Sequence, residues 1–335
     1  MIDTTQHWWP IATSAELAVD KPLARRLHGI PIVLFRDANG APAALHDRCP
    51  HRHAPLSHGT LCHGKLACPY HGWQFDRDGR CTHVPGLDNG ASRNSLVPAP
   101  SVKLAYGLVW VCTSPNADTI RPTPPSILEG VDSFILSDRV RCTIADAAEN
   151  LLDGSHTHFV HAGWIRRDAQ RQQLKAEVRR IEGGIEARYS DEGLQSGWIS
   201  RLLEGSRSES YGRFRLPGVA EIEYRCKKGL NLLATAWLSP EDANYLRVHV
   251  RVSTRQGLTP AWLKEAVLKR LFRIILQQDA SILELAHDNC ELFHAKDLAV
   301  PYLNSAIDLL GPHIRSLLAG EPLDSEVERV QICRF

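Results

Sequence analysis

Cysteine and histidine are concentrated in CPHRHAPLSHGTLCHGKLACPYHGWQFD, the stretch from Cys49 to Asp76. It contains two short pairs: Cys49-Pro50-His51, with one residue between the potential ligands, and Cys68-Pro69-Tyr70-His71, with two. Thiolate sulfur and neutral imidazole nitrogen both bind transition metals. Two of each can therefore hold one tetrahedral zinc ion, or a two-iron cluster with the cysteines on one iron and the histidines on the other.

The composition of each pair favours the two-iron cluster. Zinc sites usually combine Cys-x2-Cys with a separate histidine pair, whereas here each pair mixes the two residue types, so each loop would reach both irons. Both pairs include a proline and are followed by a glycine, Gly59 or Gly72, and such loops suit backbone N–H groups that turn toward sulfide. No ligand role is expected for four neighbours on exposed loops: His53, His58, Cys62 and His63. Buried thiols are expected at Cys81, Cys112, Cys142, Cys226, Cys290 and Cys333.

The flanking residues add a family resemblance. Arg48-Cys49-Pro50-His51-Arg52 and Cys68-Pro69-Tyr70-His71-Gly72-Trp73 resemble the Rieske signature in both spacing and neighbours. The resemblance implies that Cys49, His51, Cys68 and His71 hold a Rieske [2Fe–2S] cluster.

Bulk composition limits the class of protein. The 335 residues are enough for two domains, and 43% hydrophobic and 23% charged residues are typical of a globular chain. A formal net charge of +1 gives no strong attraction to nucleic acid, and the apolar runs are too short to span a membrane. The nine cysteines do not suggest a secreted disulfide framework, and the start lacks a signal-peptide pattern. We expect a cytoplasmic protein that partners neither nucleic acid nor membrane.

The pattern along the chain changes near a proline-rich stretch, Pro115–Pro125, that is typical of a linker. Before it, short β-favouring runs such as Ile32–Phe35 and Leu108–Val111 alternate with turns. After it come helical patterning near Asp146–His156, further strand-like runs and a long helix that begins at Thr259-Pro260. The sequence predicts an α+β protein, with an all-β Rieske domain at 1–118 and a catalytic domain at 119–335 that contains an antiparallel sheet and a long C-terminal helix.

A second group of potential ligands lies in ENLLDGSHTHFVHAGW, from Glu149 to Trp164. Two histidines and one carboxylate can bind non-haem Fe(II) on one face and leave positions open for O2. Asn150-x2-Asp153-x2-His156-x4-His161 resembles the iron motif of Rieske non-haem iron oxygenases. The similarity is strongest to the single-subunit branch with aromatic O-demethylases, such as vanillate and dicamba demethylases. It implies that His156 and His161 bind the iron and that Asp153 links it to His71 of a neighbouring subunit.

Helix geometry sets a condition on this group. Asp153 and His156 would share a face of an α-helix, but His156 and His161, five residues apart, would point away from each other. The helix must therefore end, or carry a π-type bulge, between the two histidines. His158 lies between them and receives no role.

The carboxylate ligand is expected on the long helix, in PAWLKEAVLKRLFRIILQQDASILELAHDN. Among its acids, Asp279 alone has only apolar neighbours three and four residues away, so it faces inward, where an unpaired charge is unfavourable. The remaining alternative is a core aspartate paired with Arg273 or another cation. The family pattern also favours Asp279, although relatives often carry an acid where this chain has Gln278.

Together these resemblances imply a terminal oxygenase component that hydroxylates or demethylates a small, aromatic or cyclic substrate. O2 would be the co-substrate. Because the chain has no Gly-x-Gly-x-x-Gly motif after a strand, NAD(P)H would act only through a ferredoxin or flavin reductase. A homotrimer is implied, in which the cluster of one subunit feeds the iron of the next. A ring cis-dihydroxylase α subunit, a Rieske electron carrier and a zinc-dependent nucleic-acid binder remain as alternatives.

The sequence says little about the substrate pocket. Its lining is expected between about Trp164 and Leu276. Conceivable contacts, none of them assigned, are Trp198, Phe214, Asn231, Trp237, Arg247 and His249.

Overall fold

The computed structural model describes residues 6–87, 95–114, 117, 121–165, 173–190, 207–227, 229–298, 300–323 and 327–334. The chain forms two compact units. One comprises Asp3–Pro124 with Ser239–Ala243, and the other Met1–Ile2, Pro125–Leu238 and Asn244–Phe335. Much of the expected linker, including residues 118–120, lies outside the described residues, so the boundary between 118 and 119 stays a prediction.

Among its described residues, the first unit has short antiparallel strands in three small sheets. The sheets have the orders β1-β10-β9, β2-β3-β4 and β5-β6-β7-β8. Their strands are β1 (Trp9–Thr13), β2 (Leu23–Leu27), β3 (Ile30–Arg36), β4 (Pro42–His46), β5 (Thr60–Cys62), β6 (Lys65–Ala67), β7 (Gln74–Phe75), β8 (Cys81–His83), β9 (Ser101–Ala105) and β10 (Leu108–Cys112). The all-β character predicted for this half of the chain is confirmed.

One apolar core in this unit carries the cysteine–histidine loops. Val33, Phe35 and Leu45 from β3 and β4 pack with Phe75 of β7 and with Leu56 of a short 3₁₀ turn. These side chains are fully buried, as β-branched, aromatic and leucine side chains on neighbouring short strands favour. The cysteines at 49 and 68 belong to the same cluster, so a packed core fixes the base of both loops.

The second unit contains an antiparallel sheet with the order β11-β17-β16-β15-β14-β13-β12-β18 among the described strands. Its strands are β11 (Val131–Val140), β12 (Gln173–Ile181), β13 (Gly184–Ser190), β14 (Arg207–Arg215), β15 (Val219–Cys226), β16 (Gly229–Pro240), β17 (Leu246–Arg255) and β18 (Arg329–Arg334). The outer strand β11 pairs with β17 over its whole length, from Val131 opposite Arg255 to Val140 opposite Leu246. This long pairing fixes which side chains of β17 share a face with those of β11.

In the described part of the second unit, three helices pack in the core: α1 (Ile144–Leu152), α2 (Ala261–His294) and α3 (Gly311–Ala319). The Thr143 side chain caps α1 by accepting a hydrogen bond from the N–H of Asp146. On α2 the buried positions include Leu271, Ile275 and Asp279, so the apolar stripe predicted for this helix is confirmed. Helix α2 begins one residue later than expected, because Pro260 is its N-cap. No helix in the described parts of the chain is long and apolar enough to cross a membrane.

Candidate metal centres

The two cysteine–histidine loops repeat one hydrogen-bond pattern. In each, the cysteine N–H donates to the carbonyl five residues on, at 2.9 Å for Cys49 and 2.8 Å for Cys68. The cysteine carbonyl accepts from the N–H four residues on, at 2.9 Å and 3.0 Å respectively. The residue at that fourth position has a positive φ, 61° at His53 and 70° at Gly72. In both loops the backbone therefore reverses tightly after the cysteine, and the histidine lies within the turn.

The turns bring the histidine rings together. The rings of His51 and His71 meet edge-on, with centroids 4.5 Å apart and planes inclined at 61°. Trp73 stacks on His51 at 4.7 Å with nearly parallel planes, and Tyr70 lies against His71 at 3.9 Å. His71 and Tyr70 are exposed. One histidine is thus held by aromatic packing, and the other faces the surface of its unit.

The donor atoms fit a cluster with two thiol and two imidazole ligands. Cys49 and Cys68 are 1% and 4% exposed, and burial, together with the neighbouring Cys68 thiol, raises the pKa of Cys49 to about 11. Nδ1 of His51 is buried without a hydrogen-bond partner. An unpaired buried nitrogen is unfavourable, and an iron ion at that atom would satisfy it. The set matches the ligands of a Rieske [2Fe–2S] cluster.

The second group is built where α1 ends. The Asp153 N–H still donates to the Glu149 carbonyl at 2.8 Å, but its backbone is extended, with φ −78° and ψ 125°. Its carboxylate then accepts hydrogen bonds from the backbone N–H groups of Ser155 (2.7 Å) and His156 (2.9 Å) and from the Ser155 hydroxyl (2.8 Å). The expectation that Asp153 and His156 share a helix face is wrong, because this carboxylate terminates α1 and caps the turn that follows.

A 3₁₀ turn, His156–His158, and further irregular backbone replace the expected helix between the two histidines. The N–H groups of Phe159 and Val160 both donate to the His156 carbonyl, at 2.9 Å each. The helix therefore ends before both histidines rather than between them. This tight path supplies the change of direction that a straight helix could not give.

His156, His161 and Asp279 converge. Oδ1 of Asp279 lies 3.0 Å from Nε2 of His161 and 3.5 Å from Nε2 of His156. One potential ligand atom from each residue lies within 4.8 Å of the others. His161 and Asp279 are 1% and 6% exposed, and His156 is partly buried. Arg273 is exposed, so the two histidines, and not this arginine, contact the aspartate.

The contacts among these three residues leave a buried carboxylate oxygen without a hydrogen bond, and a cation would satisfy it. Oδ1 of Asp279 is buried and accepts no hydrogen bond of acceptable geometry, despite its closeness to the two histidines. Burial raises the pKa of Asp279, but the histidines outweigh it and hold the pKa at about 2. Burial lowers the pKa of His156, but Asp153 and Asp279 outweigh it and raise that pKa to about 9. A buried carboxylate whose oxygen lies close to two imidazole nitrogens fits a divalent metal ion.

Two further side chains orient the imidazoles. Nδ1 of His161 lies 2.9 Å from the Gln278 Oε1, so a proton on Nδ1 leaves the Nε2 lone pair directed toward Asp279. Nδ1 of His156 lies 3.5 Å from Oδ2 of Asp153 but makes no hydrogen bond, and Asp153 holds this residue through its backbone N–H instead. Sequence reasoning noted Gln278 only as a departure from relatives, and the contact with His161 gives it a place in the site.

An apolar cavity borders Asp279. Its empty space is about 450 Å³, including the part that is open to solvent. Much of its wall comes from β11 and α1, before Trp164, so the expected location of the lining between Trp164 and Leu276 is wrong in part. Trp198 lies outside the described residues. The other conceivable contacts are absent from the described wall: Phe214, Asn231, Trp237, Arg247 and His249.

Other cysteines and histidines behave mostly as expected. The loop histidines at 53, 58 and 63 are exposed, and His158 is buried outside the group of three. Cys81, Cys112, Cys142 and Cys333 are buried thiols. Cys226 and Cys290 are only half-buried, contrary to expectation, because each lies near the end of its strand or helix.

The fold and the two ligand sets define a class: a two-domain chain with a Rieske-type cluster site in one unit and a 2-His-1-carboxylate site in the other. Family models agree with this class. Residues 7–103 match the Rieske [2Fe-2S] domain, and residues 140–320 match the vanillate O-demethylase oxygenase C-terminal domain. The chain belongs to the family defined by that C-terminal domain. Its two domains imply a [2Fe–2S] cluster and a mononuclear iron.

The chain is also similar to individual proteins with a known sequence or structure. The chain is 34% identical over 206 residues to the oxygenase component of dicamba O-demethylase from Stenotrophomonas maltophilia, with 60% of each chain covered. It is 31% identical to the chloroplastic protein TIC 55 of Pisum sativum, with 65% of this chain and 39% of that protein covered. It spans about two fifths of the length of the first curated relatives. The crystal structure of dicamba monooxygenase bound to dicamba has the same fold, with a TM-score of 0.81 at 22% identity, covering 96% of this chain and 98% of that one.

Proposed function

We propose that the chain is a terminal oxygenase component that inserts one oxygen atom of O2 into a small cyclic or aromatic substrate, by hydroxylation or by oxidative demethylation. The observation that carries the proposal is the presence of both ligand sets in one chain. A cluster site alone would serve an electron carrier. The convergence of His156, His161 and Asp279 beside an apolar cavity adds a place where a substrate and O2 can meet.

Each ligand set has a separate task. When bound, the Rieske cluster supplies single electrons and the ferrous ion supplies open positions for O2. Cys49, His51, Cys68 and His71 would hold the cluster. His156, His161 and Asp279 would hold the iron through their convergent atoms, and the Asp153 carboxylate holds the backbone of His156 through its N–H.

The overall reaction needs partners because it consumes two electrons and two protons for each O2, giving oxygenated product and water. A ferredoxin or flavin reductase would deliver the electrons, with NAD(P)H acting only through it. His71 is exposed and lies against the exposed Tyr70, which supports electron transfer at the surface of the first unit. A homotrimer is part of the proposal, with His71 of one subunit facing Asp153 of the next.

A cytoplasmic location is also part of the proposal. None of the nine cysteines forms a disulfide in the structure. A reducing compartment keeps such thiols from forming disulfides.

The test is coupled turnover. Anaerobically purified protein is mixed with a reductase, NADH and a panel of methoxybenzoates, N-methyl compounds and alkaloid-like polycyclic compounds, and O2 uptake is compared with product formed. The proposal predicts at least one compound for which one monooxygenated or demethylated product forms per O2 consumed. A cis-diol would show a ring dihydroxylase instead. Colourless protein containing zinc, or cluster-containing protein without mononuclear iron, would overturn the proposal.

A further inference from the structure

The two cysteine–histidine loops carry positive charge without an acid among them. From Arg48 to Phe75 the chain contains neither aspartate nor glutamate, and its cations, called here the cluster-loop cations, are Arg48, Arg52 and Lys65. The two arginines are exposed, and the lysine is half-buried. Among the described residues none of the three makes an ion pair or a side-chain hydrogen bond. Their charges therefore leave a positive potential around the cluster site.

The acids at either end of this stretch are bound to turns. The Asp47 carboxylate accepts hydrogen bonds from the N–H (2.7 Å) and the hydroxyl (2.6 Å) of Ser57. The Asp76 carboxylate accepts hydrogen bonds from the N–H groups of Asp78 (3.0 Å) and Arg80 (2.9 Å). Both carboxylates hold the backbone of a turn. Neither pairs with a cluster-loop cation.

Four arginines of the first unit outside these loops each contact a carboxylate. The pairs are Arg25–Glu16, Arg26–Asp242, Arg77–Asp37 and Arg80–Asp78. A carboxylate beside a cation cancels much of its field at a distance. The contrast distinguishes the cluster loops as a place where several cations stand together without acids.

The same loops expose a residue of the cluster site. His71 is exposed, and the adjacent Tyr70 is 65% exposed. Arg52 directly follows His51, whose ring meets that of His71. A positive potential at the point where an electron enters attracts a negatively charged donor and speeds its approach.

We propose that the cluster-loop cations form the docking surface for a small acidic electron-transfer protein, whose carboxylates surround its own redox centre. This rests on the proposed function, because it names the partner of the same cluster site. One electron passes from the reduced donor to the oxidised cluster, and no bond forms or breaks. The cations lie on the first loop and the β5–β6 hairpin, whereas His71 lies on the second loop, so the donor and a neighbouring subunit use different loops.

The number of cations favours a protein over other polyanions. Lipid-binding clusters usually hold about four to eight lysine or arginine residues. Nucleic-acid sites commonly neutralise about six to ten phosphates. The cluster-loop cations suit instead the few carboxylates of a transient redox complex, which buries a small interface.

Binding of a plant-type [2Fe–2S] ferredoxin, a small acidic protein, tests the proposal. Both proteins are kept oxidised, so that calorimetry on the holoenzyme measures affinity without electron transfer. We expect binding at low salt that weakens at least about tenfold when NaCl rises from about 20 mM to about 300 mM. No binding at low salt, or an affinity independent of salt, would overturn the proposal.

Arg52→Glu should lower this affinity by about five- to tenfold at low salt, because it replaces an attraction with a repulsion. Arg48→Glu is a second variant in case the first disturbs the cluster, whose visible absorption shows whether it is intact. The matched control, Lys21→Glu, makes the same change in net charge at an exposed residue. In the β2-β3-β4 sheet, Lys21 lies at the end opposite to the one from which the first loop leaves. Equal affinities in the control and both arginine variants would overturn the assignment of this surface.

Two other polyanions are measured in the same way: a short DNA duplex and phosphatidylserine vesicles. The ferredoxin should bind more tightly than either of them, because its carboxylates belong to a folded surface that matches the small patch. Tighter binding of the duplex or of the vesicles would overturn the assignment to a protein donor.

These outcomes are separate from those of the proposed function. Holoenzyme that couples O2 to product, but in which the arginine variants bind the ferredoxin as the wild type does, would overturn only the docking surface. Salt-dependent ferredoxin binding that needs the arginines, without coupled oxygenation of any compound, would overturn only the proposed function.

Discussion

The two candidate metal centres are built in opposite ways. The cluster site comes from two nearby loops that repeat one turn, and its His71 is exposed. The iron site joins an irregular segment after α1 to an aspartate far along the chain on α2, and His161 is almost fully buried. The first arrangement suits electron exchange at a surface, and the second suits chemistry shielded from water.

The difference also appears in how each site is supported. In the cluster loops, backbone hydrogen bonds and the stacking of Trp73 on His51 fix the ligands locally. In the iron site, side chains fix the ligands: the Asp153 carboxylate accepts a hydrogen bond from the His156 backbone N–H, and Gln278 Oε1 lies 2.9 Å from Nδ1 of His161. Substitutions should therefore affect the two centres independently.

Cys68→Ser should have the largest effect on metal content. A serine hydroxyl is a poor replacement for a thiolate on iron, so we expect iron to fall from about three atoms per chain to about one. The Rieske electron paramagnetic resonance signal should disappear, and the ferrous site should remain. Cys62→Ser is the matched control, because Cys62 is a half-buried cysteine of the same region. Loss of the signal in the control, or its survival in Cys68→Ser, would contradict the ligand assignment.

Asp279→Ala should remove the other centre. Without its carboxylate the two histidines bind Fe(II) weakly, so iron should fall from about three atoms per chain to about two, with coupled turnover abolished and the cluster signal kept. Asp288→Ala serves as the control, because Asp288 lies on the same helix but is exposed and pairs with Arg141. Normal iron content and turnover in Asp279→Ala would remove this residue from the ligand set.

Asp153→Asn should separate metal binding from activity. The amide keeps the size of the carboxylate but loses the negative charge beside His156, so we expect coupled turnover to fall by about 10–100-fold. Metal analysis and the cluster signal should show both centres present. Ser155→Ala, which removes only a hydroxyl donor to Asp153, should reduce turnover much less. Full activity in Asp153→Asn would show that this residue has only a structural role.

Gln278→Leu should have the smallest effect. It removes the acceptor for Nδ1 of His161, which we expect to weaken Fe(II) binding by about five- to tenfold in a calorimetric titration. Gln277→Leu makes the same chemical change at the adjacent, exposed position and should leave the affinity unchanged. Equal effects of the two substitutions would show that the helix, rather than the hydrogen bond, is responsible. In that event the contact with His161 carries no orienting function.

The sequence predicts that the two cysteine–histidine loops belong together because their residues are close in sequence, and the rings of His51 and His71 do meet. The prediction that Asp279 faces inward is confirmed, since helical phase alone puts that residue on the buried stripe of α2. The end of α1 is harder to predict, because the Asp153 carboxylate competes for the backbone N–H groups of Ser155 and His156. Helical periodicity indicates only which residues share a face, so it does not predict that competition.

The cavity is the least predictable feature. Its wall combines Leu136 from β11, Asn150 from α1, Val248 from β17 and Leu283 from α2, which are distant in sequence. Their meeting depends on strand register and on how the helices pack against the sheet. The prediction of a lining between Trp164 and Leu276 therefore does not include most of the residues of the wall.

The central claim is that one chain holds two distinct iron sites. Mössbauer spectroscopy of wild-type protein prepared anaerobically with ⁵⁷Fe tests it most directly. The account predicts that about two thirds of the iron belongs to a Rieske cluster, with one iron ligated by cysteine and the other by histidine, and that about one third is a high-spin ferrous ion. A single iron environment, or zinc in place of iron, would contradict it.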